Sequence, residues 1–275
     1  MSSPKWNPAC SGGAPPYLLS MPKIECRDLT KVFRIHGQSF EAIKGLSFEV
    51  APGELVAVVG KTGCGKSTTL NVLLGLERPT HGRLAIDGRE PYSDFDFFRG
   101  KLSVVFQTDR LLPWRSVLQN TTYGLEILRV PQPERVKKAR YWLEKVGLTQ
   151  FENAYPHELS GGMRQRVGIA RAFSIDPEVL LCDEAFGHLD EVTANKLRAD
   201  FLQLIRETKK TSLFITHDID EAMELGERVL VLGRPARLLM DVQISQTLKE
   251  DPARRAELKA RIVRAIESDE PAEQG

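Results

Sequence analysis

A glycine-rich segment at residues 60–68 carries the clearest chemical pattern of the chain. Its sequence, GKTGCGKST, places glycines ahead of a lysine and a hydroxyl residue. Such glycines let successive backbone N–H groups turn toward phosphate oxygens, while the lysine binds the outer phosphates and the hydroxyl binds Mg²⁺. We therefore predict a nucleoside triphosphate site in which Lys66 contacts phosphate and Ser67 is a metal ligand. Its residues are Gly60, Lys61, Thr62, Gly63, Cys64, Gly65, Lys66, Ser67 and Thr68.

One position of this segment is a cysteine. Cys64 precedes a predicted helix, and a helix N-terminus lowers the pKa of a nearby thiol. We therefore predict that Cys64 is reactive and that a bulky thiol reagent on it blocks nucleotide binding. The other cysteines, at positions 10, 26 and 182, lack the spacing of a zinc site, so we expect no disulfides and a reducing compartment.

Two adjacent acids, Asp183 and Glu184, follow an apolar run at 179–182. A carboxylate at the end of a buried strand can hold Mg²⁺ through water, which predicts that role for Asp183. Glu184 is predicted to polarise a water molecule for attack on the outermost phosphate. The alternative is that both are surface acids after a core strand. The intact loop at 60–68 favours the catalytic interpretation.

A second glycine-backed hydroxyl precedes another predicted helix, in the order Ser160, Gly161, Gly162. Exposed N–H groups at a helix N-terminus bind anions, so this segment predicts a second anion site. The alternative is that Ser160 only caps its own helix. A nucleotide site needs one phosphate loop, so the sequence alone leaves the purpose of a second one open.

The segments around these positions must bring them together. An apolar run at 55–59 predicts a buried strand before the loop, and apolar spacing at 69–76 predicts a helix after it. Helical spacing over 118–147 predicts a separate helical part. Other strands are predicted at 24–33, 40–50, 83–86, 102–106, 179–182, 213–216, 228–232 and 237–242, and other helices at about 160–173, 191–209, 220–225 and 252–266.

Composition limits the classes of function. The 275 residues carry a formal net charge of +1 and are 41% hydrophobic, an ordinary globular balance that gives no argument for nucleic acid. No apolar run approaches the roughly 18 residues that cross a bilayer, so a membrane role must come through a partner. We predict a disordered extension at 1–21, a folded domain at 22–245, and a C-terminal helix with an acidic tail at 246–275.

The segment LSGGMRQR at 159–166, between the glycine-rich loop and the Asp183–Glu184 pair, resembles the signature motif of ABC ATPases. The resemblance covers about residues 22–245. Further family positions fall in the expected order, with Gln107 in the Q-loop, 187–190 as the D-loop containing Asp190, and His217 as the switch histidine.

The resemblance also assigns an aromatic residue to the adenine ring. Phe33 is the first candidate to stack on the base, and Phe40 is the second. Two positions depart from the family pattern, because Ala185 stands where proline is common and His188 where alanine is common. Neither departure removes a predicted ligand.

What the resemblance implies is an α/β fold with a P-loop NTPase core of the ABC ATPase type. That fold has a mixed sheet flanked by helices, an antiparallel β subdomain, and an inserted helical subdomain at about 110–165. It implies ATP and Mg²⁺ as cofactors and a head-to-tail homodimer, with ATP between the 60–68 loop of one subunit and the Ser160 segment of the other. The implied metal ligands are Ser67, Gln107 and Asp183, and the implied catalytic residues are Glu184, His217 and Gln107.

The segment FQTDRLLPW at 106–114 resembles importer ATPases for nitrate, sulfonate and taurine. This resemblance implies integral membrane permease subunits as partners, an extracytoplasmic solute-binding protein acting indirectly, and a location on the cytoplasmic face of the inner membrane. Trp114 would line a groove for a partner helix or, alternatively, pack the helical subdomain. A soluble ABC ATPase uncoupled from transport and an importer for an unrelated small solute remain alternatives.

Overall fold

The structure is a computed structural model that describes residues 21–187 and 189–269. The predicted disordered extension falls almost entirely on residues 1–20, outside the described residues. His188, Cys10 and the end of the predicted acidic tail also lie outside them.

The larger sheet is mixed. Its strands are β3 (Leu55–Gly60), β5 (Leu102–Val105), β6 (Val179–Asp183), β7 (Thr211–Thr216), β8 (Arg228–Leu232) and β9 (Leu238–Gln243). The strand order is β5-β6-β7-β3-β8-β9, in which the first five strands run parallel and β9 runs antiparallel to β8. Because parallel strands end at one edge of a sheet, the residues that follow β5, β6, β7 and β3 come together there.

A smaller antiparallel sheet covers one side of this core. Its order is β2-β1-β4, with β1 (Ile24–Ile35), β2 (Gln38–Val50) and β4 (His81–Ile86). The predicted antiparallel pairing of the first two strands is confirmed, and both strands are longer than predicted. Their apolar faces share a core with helix α1 (Lys66–Leu73) and with strand β3.

Three helices form a helical part between β5 and β6. They are α3 (Val117–Ile127), α4 (Gln132–Lys145) and α5 (Gly161–Ser174), and they pack against one another around the Trp142 and Phe173 rings, whose centres are 4.9 Å apart. Ser116 begins α3 with a capping box, since its hydroxyl accepts from the Gln119 backbone and the Gln119 side chain accepts in return.

The remaining helices flank the sheet. They are α2 (Phe95–Phe98), α6 (Glu191–Thr208), α7 (Ile219–Leu225), α8 (Gln246–Glu250) and α9 (Pro252–Glu267). The predicted apolar stripe of α9 is confirmed, because Leu258 and Ile262 are buried and Ile266 packs against the same cluster. Across residues 21–187 and 189–269, no helix has the length and apolar character needed to span a bilayer.

Candidate active site

The glycine-rich loop joins β3 to α1, as predicted. Its backbone is shaped by Gly65, which has a φ of 114°, a value that L side chains rarely adopt. A Cβ at this position would also come within 2.3 Å of the Ala42 carbonyl oxygen. Lys66 is 5% exposed, and its Nζ donates to the carbonyl oxygens of Gly60 at 2.6 Å and Lys61 at 2.9 Å. The lysine therefore lies across the inside of the loop.

The expected reactivity of Cys64 is wrong. The side chain points into the core and is 1% exposed. A Cβ placed on Gly60 would lie 2.9 Å from its Sγ, so the sulfur packs beneath the start of the loop. Burial raises the pKa of the Cys64 thiol, and the opposing effect of nearby Lys66 is smaller. Desolvation thus outweighs the helix N-terminus.

Three polar side chains meet at the carboxyl edge of the larger sheet. Glu184 follows β6, and its Oε2 accepts from Gln107 Nε2 at 3.1 Å and lies 3.1 Å from His217 Nδ1. Gln107 follows β5 and His217 follows β7, so neighbouring strands supply all three. Parallel strand register therefore brings together residues that the chain separates widely.

Glu184 is held in an unusual backbone conformation. Its φ is 47°, in the left-handed region, while its N–H donates to the Ile215 carbonyl at 2.8 Å and so extends the β6–β7 pairing. A non-glycine residue in this region costs about 1–3 kcal/mol, and such strain concentrates at functional sites. The conformation turns the Glu184 side chain toward Gln107 and His217.

Asp183, the last residue of β6, is partly buried beside this group. Burial and the neighbouring Glu184 raise the pKa of the Asp183 carboxyl, while Arg110 and Lys66 oppose the rise. Among residues 21–187 and 189–269, no group of three or more His, Cys, Asp or Glu could hold a metal alone. One carboxylate with the Ser67 hydroxyl and the Gln107 amide is an all-oxygen donor set that suits Mg²⁺ shared with phosphates.

The two candidate aromatics lie opposite each other in the β1–β2 pair, so their side chains share one face. Phe40 is 48% exposed and lines a cavity of about 460 Å³ together with residues 61–64 of the loop. Phe33 packs partly against the core, and Lys31 Nζ lies 4.8 Å from its ring centre. This geometry favours Phe40 as the aromatic nearest the loop, and base stacking stays a prediction for both.

The Ser160 segment has its own setting. Ser160 is exposed and caps α5, with its Oγ accepting from Met163 N at 3.3 Å. A Cβ on Gly162 would lie 2.7 Å from Thr193 Cγ2, so the start of α5 touches the start of α6. Asp190 caps α6, and its Oδ1 accepts from Thr193 N at 3.0 Å. The predicted signature and D-loop residues are therefore neighbours.

Helix α5 is also tied to the segment after Gln107, which the sequence did not indicate. Arg164 Nε donates to Asp109 Oδ2 at 2.9 Å, and Gln165 Nε2 donates to the Phe106 carbonyl at 3.1 Å. Opposite charges 55 positions apart carry no periodic signal, so only the fold reveals this link. It joins the signature helix directly to the Q-loop.

Trp114 points outward. Its side chain is 71% exposed, so the alternative that it packs the helical subdomain is wrong. The loop that carries it is held by buried Asn120, which accepts from Leu112 N at 2.8 Å and donates to the carbonyls of Leu112 and Arg115 at 3.1 and 2.9 Å. A large apolar ring is thus presented to the surface by a fixed backbone.

Comparison with known proteins gives this arrangement a family. The family model described as ABC transporter matches residues 43–187, from β2 to the residues after Glu184. The chain belongs to the ABC transporter family. Its fold is accordingly the predicted P-loop core with mixed and antiparallel sheets, and the protein is an ABC-type ATPase.

Relatives within this family carry more specific names. The taurine import ATP-binding protein TauB of Rhizobium johnstonii is 44% identical over 208 residues, covering 74% of this chain and 77% of that protein. The nitrate import ATP-binding protein NrtD of Synechocystis sp. is 41% identical over 226 residues, covering 81% and 82%. A solved dimeric ABC cassette in a post-hydrolysis state with ADP and Pi has a TM-score of 0.72 and 31% identity, covering 81% of this chain and 99% of that one.

Proposed function

We propose that this ABC ATPase powers import of a small solute of the nitrate, sulfonate and taurine class. It would work on the cytoplasmic face of the inner membrane, bound to separate permease subunits. An extracytoplasmic solute-binding protein would deliver the solute to those permease subunits. The observation that carries the importer assignment is exposed Trp114 within the importer-like 106–114 segment, on a loop fixed by Asn120. The names of the taurine and nitrate relatives support the solute class.

We further propose that two copies pair head to tail, with each ATP between a 60–68 loop and the partner's Ser160 segment. The exposed position of Ser160 supports this arrangement, as does the dimeric state of the solved cassette. Asp190 would then lie at the same interface, because its helix touches Gly162 through Thr193. Such a dimer gives the second anion site a purpose.

The proposed chemistry is phosphoryl transfer from ATP to water. Ser67, Gln107 and Asp183 would hold Mg²⁺, which would neutralise charge on the phosphates. Glu184 would take the proton of the attacking water, and the Glu184–His217 contact of 3.1 Å would orient both side chains. Lys66 would move its Nζ from the loop carbonyls to the outer phosphates.

Two alternatives to this function stay open. A soluble ABC ATPase uncoupled from transport would leave the Trp114 surface without a partner, and a transport system for an unrelated small solute would use the same ATPase. The solute pocket would lie on other chains, so binding assays on the solute-binding protein separate the two solute classes. Co-purification with a membrane protein separates importer from soluble ATPase.

Trp114→Ala tests the coupling surface. We expect ATP hydrolysis by the isolated subunit to change less than about twofold, since Trp114 is 71% exposed. Solute uptake in cells should fall about tenfold or more, because interface aromatics anchor partners. Phe95→Ala removes another exposed aromatic, 61% exposed, and should leave uptake intact. Normal uptake by a folded Trp114→Ala variant would falsify the docking role.

A further inference from the structure

A buried ion pair lies behind His217. Glu221 of α7 is 7% exposed, and its Oε1 is 3.5 Å from Nη1 of Arg198 on α6, whose side chain is 15% exposed. Removing two charges from water is costly, and apolar side chains of similar volume often stabilise a fold as well or better. Stability alone is therefore a weak reason for this pair to be here.

One end of the pair holds the backbone around His217. Thr216 Oγ1 donates a hydrogen bond to Glu221 Oε2, and the same hydroxyl accepts from Asp218 N at 3.0 Å. Thr216 and Asp218 flank His217 directly, so Glu221 fixes the chain on both sides of the imidazole. The His217 ring is half exposed and reaches Glu184. Its position thus depends on the backbone that Glu221 holds.

The other end belongs to the helix that starts at the D-loop. Arg198 Nη2 donates to Asn195 Oδ1, and Arg198 Nε lies 3.1 Å from Glu224 Oε2 without the geometry of a hydrogen bond. Arg198 lies on α6, whose first turn Asp190 caps. A cavity of about 210 Å³ extends from the pair to Glu184 and His217. A largely buried charged network therefore joins α6, two turns after its start, to the catalytic edge.

We infer that Arg198 and Glu221 are positioning residues. They make the position of the His217 side chain, and through it that of Glu184, depend on the position of α6. This inference rests on the proposed roles of His217 and Glu184 in hydrolysis. Movement of the 189–193 segment at the proposed dimer interface would shift Arg198, then Glu221 and Thr216, and then the imidazole. Displacement of a catalytic group by 1 Å can cost about 100-fold in rate.

The test compares Arg198→Met, Glu221→Gln and the double variant in the full-length protein. We expect each single variant to lower kcat about 10-fold to 100-fold while the KM for ATP changes less than about threefold, because binding groups are untouched. The singles should also unfold at lower temperature, since each leaves one buried group without its partner. The double variant leaves no buried charge unpaired, because Glu224, the other acid beside Arg198, is 38% exposed, so its melting temperature should recover while kcat stays low.

Two further variants make the result decisive. Lys145→Met with Glu207→Gln removes another ion pair of α6, at 2.8 Å, far along the helix from His217, and should leave kcat unchanged. Arg198→Lys keeps the charge but loses the fork that reaches several partners, so it should fold normally and recover kcat only in part. The inference is overturned if the Arg198→Met/Glu221→Gln double variant regains full kcat together with its stability. It is also overturned if Arg198→Lys has full kcat.

The proposed catalytic assignment is tested separately in the same assay. Glu184→Gln and His217→Ala should bind ATP and lose turnover. If both variants hydrolyse ATP normally, the catalytic assignment itself fails. If they lose turnover while the Arg198 and Glu221 variants keep full kcat, only the positioning inference fails.

Discussion

Two helices of this protein begin among glycine and hydroxyl residues, and they differ in what surrounds their first turns. The start of α1 has no side-chain cap, and buried Lys66 lies across the loop before it. The start of α5 is capped by its own Ser160, which is exposed. The first has a buried lysine across its loop and no cap, and the second has an exposed residue as its cap.

The different surroundings of the two helix starts indicate which half of a nucleotide site each helix can supply. Uncapped N–H groups with a lysine beside them can bind phosphate without help from another molecule. An outward-facing hydroxyl on a helix that packs against α6 through Gly162 offers only one wall of a site. The two helix starts therefore support a site that a second copy completes. Variants that change one helix start at a time test this arrangement.

The largest expected effect is on the loop before α1. Lys66→Met should weaken ATP binding by about 100-fold, because hydrogen bonds to charged groups contribute about 1.5–3 kcal/mol and this lysine would face the outer phosphates. Calorimetric titration of ATP measures the effect. Lys44→Met, a 63% exposed lysine on β2, should bind normally. Unchanged affinity in a folded Lys66→Met variant would remove this helix start as the phosphate site.

An effect on turnover alone, and not on ATP binding, is expected at the start of α5. Ser160→Arg should leave ATP binding by the monomer within about twofold and lower turnover by about 100-fold, because a long side chain keeps the partner's phosphates out of position. Turnover per molecule of the unmodified protein should also rise with protein concentration.

Ser245→Arg is the matched control for this prediction. Ser245 caps α8 as Ser160 caps α5, with its Oγ accepting from Leu248 N at 3.2 Å, so both variants lose a cap of about 1 kcal/mol. Only Ser160→Arg should lose turnover. Equal activity of both variants, or full activity of a strict monomer, would make the 60–68 loop a complete site and end the comparison.

The contact between α5 and α6 gives a third prediction, on stability. Gly162→Ala should lower the free energy of unfolding by about 1–3 kcal/mol, because its Cβ would meet Thr193 Cγ2 at 2.7 Å. Adding Thr193→Ser to the Gly162→Ala variant removes that methyl group and should restore most of the lost stability. Gly161→Ala, whose Cβ would meet Leu189 at an ordinary 3.7 Å, is the control. Urea unfolding measures the free energy of unfolding of each variant. If the double variant is as unstable as Gly162→Ala alone, the contact with Thr193 is not the cause of the loss.

Contiguous features were predictable from the sequence. The glycine-rich loop, its strand and its helix are neighbours along the chain, and their pattern fixes their geometry. The helix starts at Lys66, three residues earlier than predicted, because Gly65 already directs its carbonyl to Thr69 N. Helices α2 and α8 were missed because four or five residues are too few to show helical periodicity.

Features made by distant residues were only partly predictable. The ends of β5, β6 and β7 were found, but the shared contact of Gln107 and His217 with one oxygen of Glu184 depends on strand register. Asp109 with Arg164, and Arg198 with Glu221, depend on helix packing, which no local pattern encodes. The left-handed backbone of Glu184 has no sequence signal, since that conformation usually belongs to glycine.

The smallest effect is expected at Cys64, where the burial of one side chain of the 60–68 loop can be measured directly. In a Cys10→Ser background, N-ethylmaleimide should label native Cys64 at least about 10-fold more slowly than in urea, because the thiol is buried and its pKa is raised by that burial. Peptide mapping separates it from Cys26 and Cys182, which are also buried. Rapid native labelling that ATP prevents would show a loop that opens without its ligand. Slow labelling with or without ATP would mean that the backbone of the 60–68 loop faces the phosphates while the Cys64 side chain stays in the core.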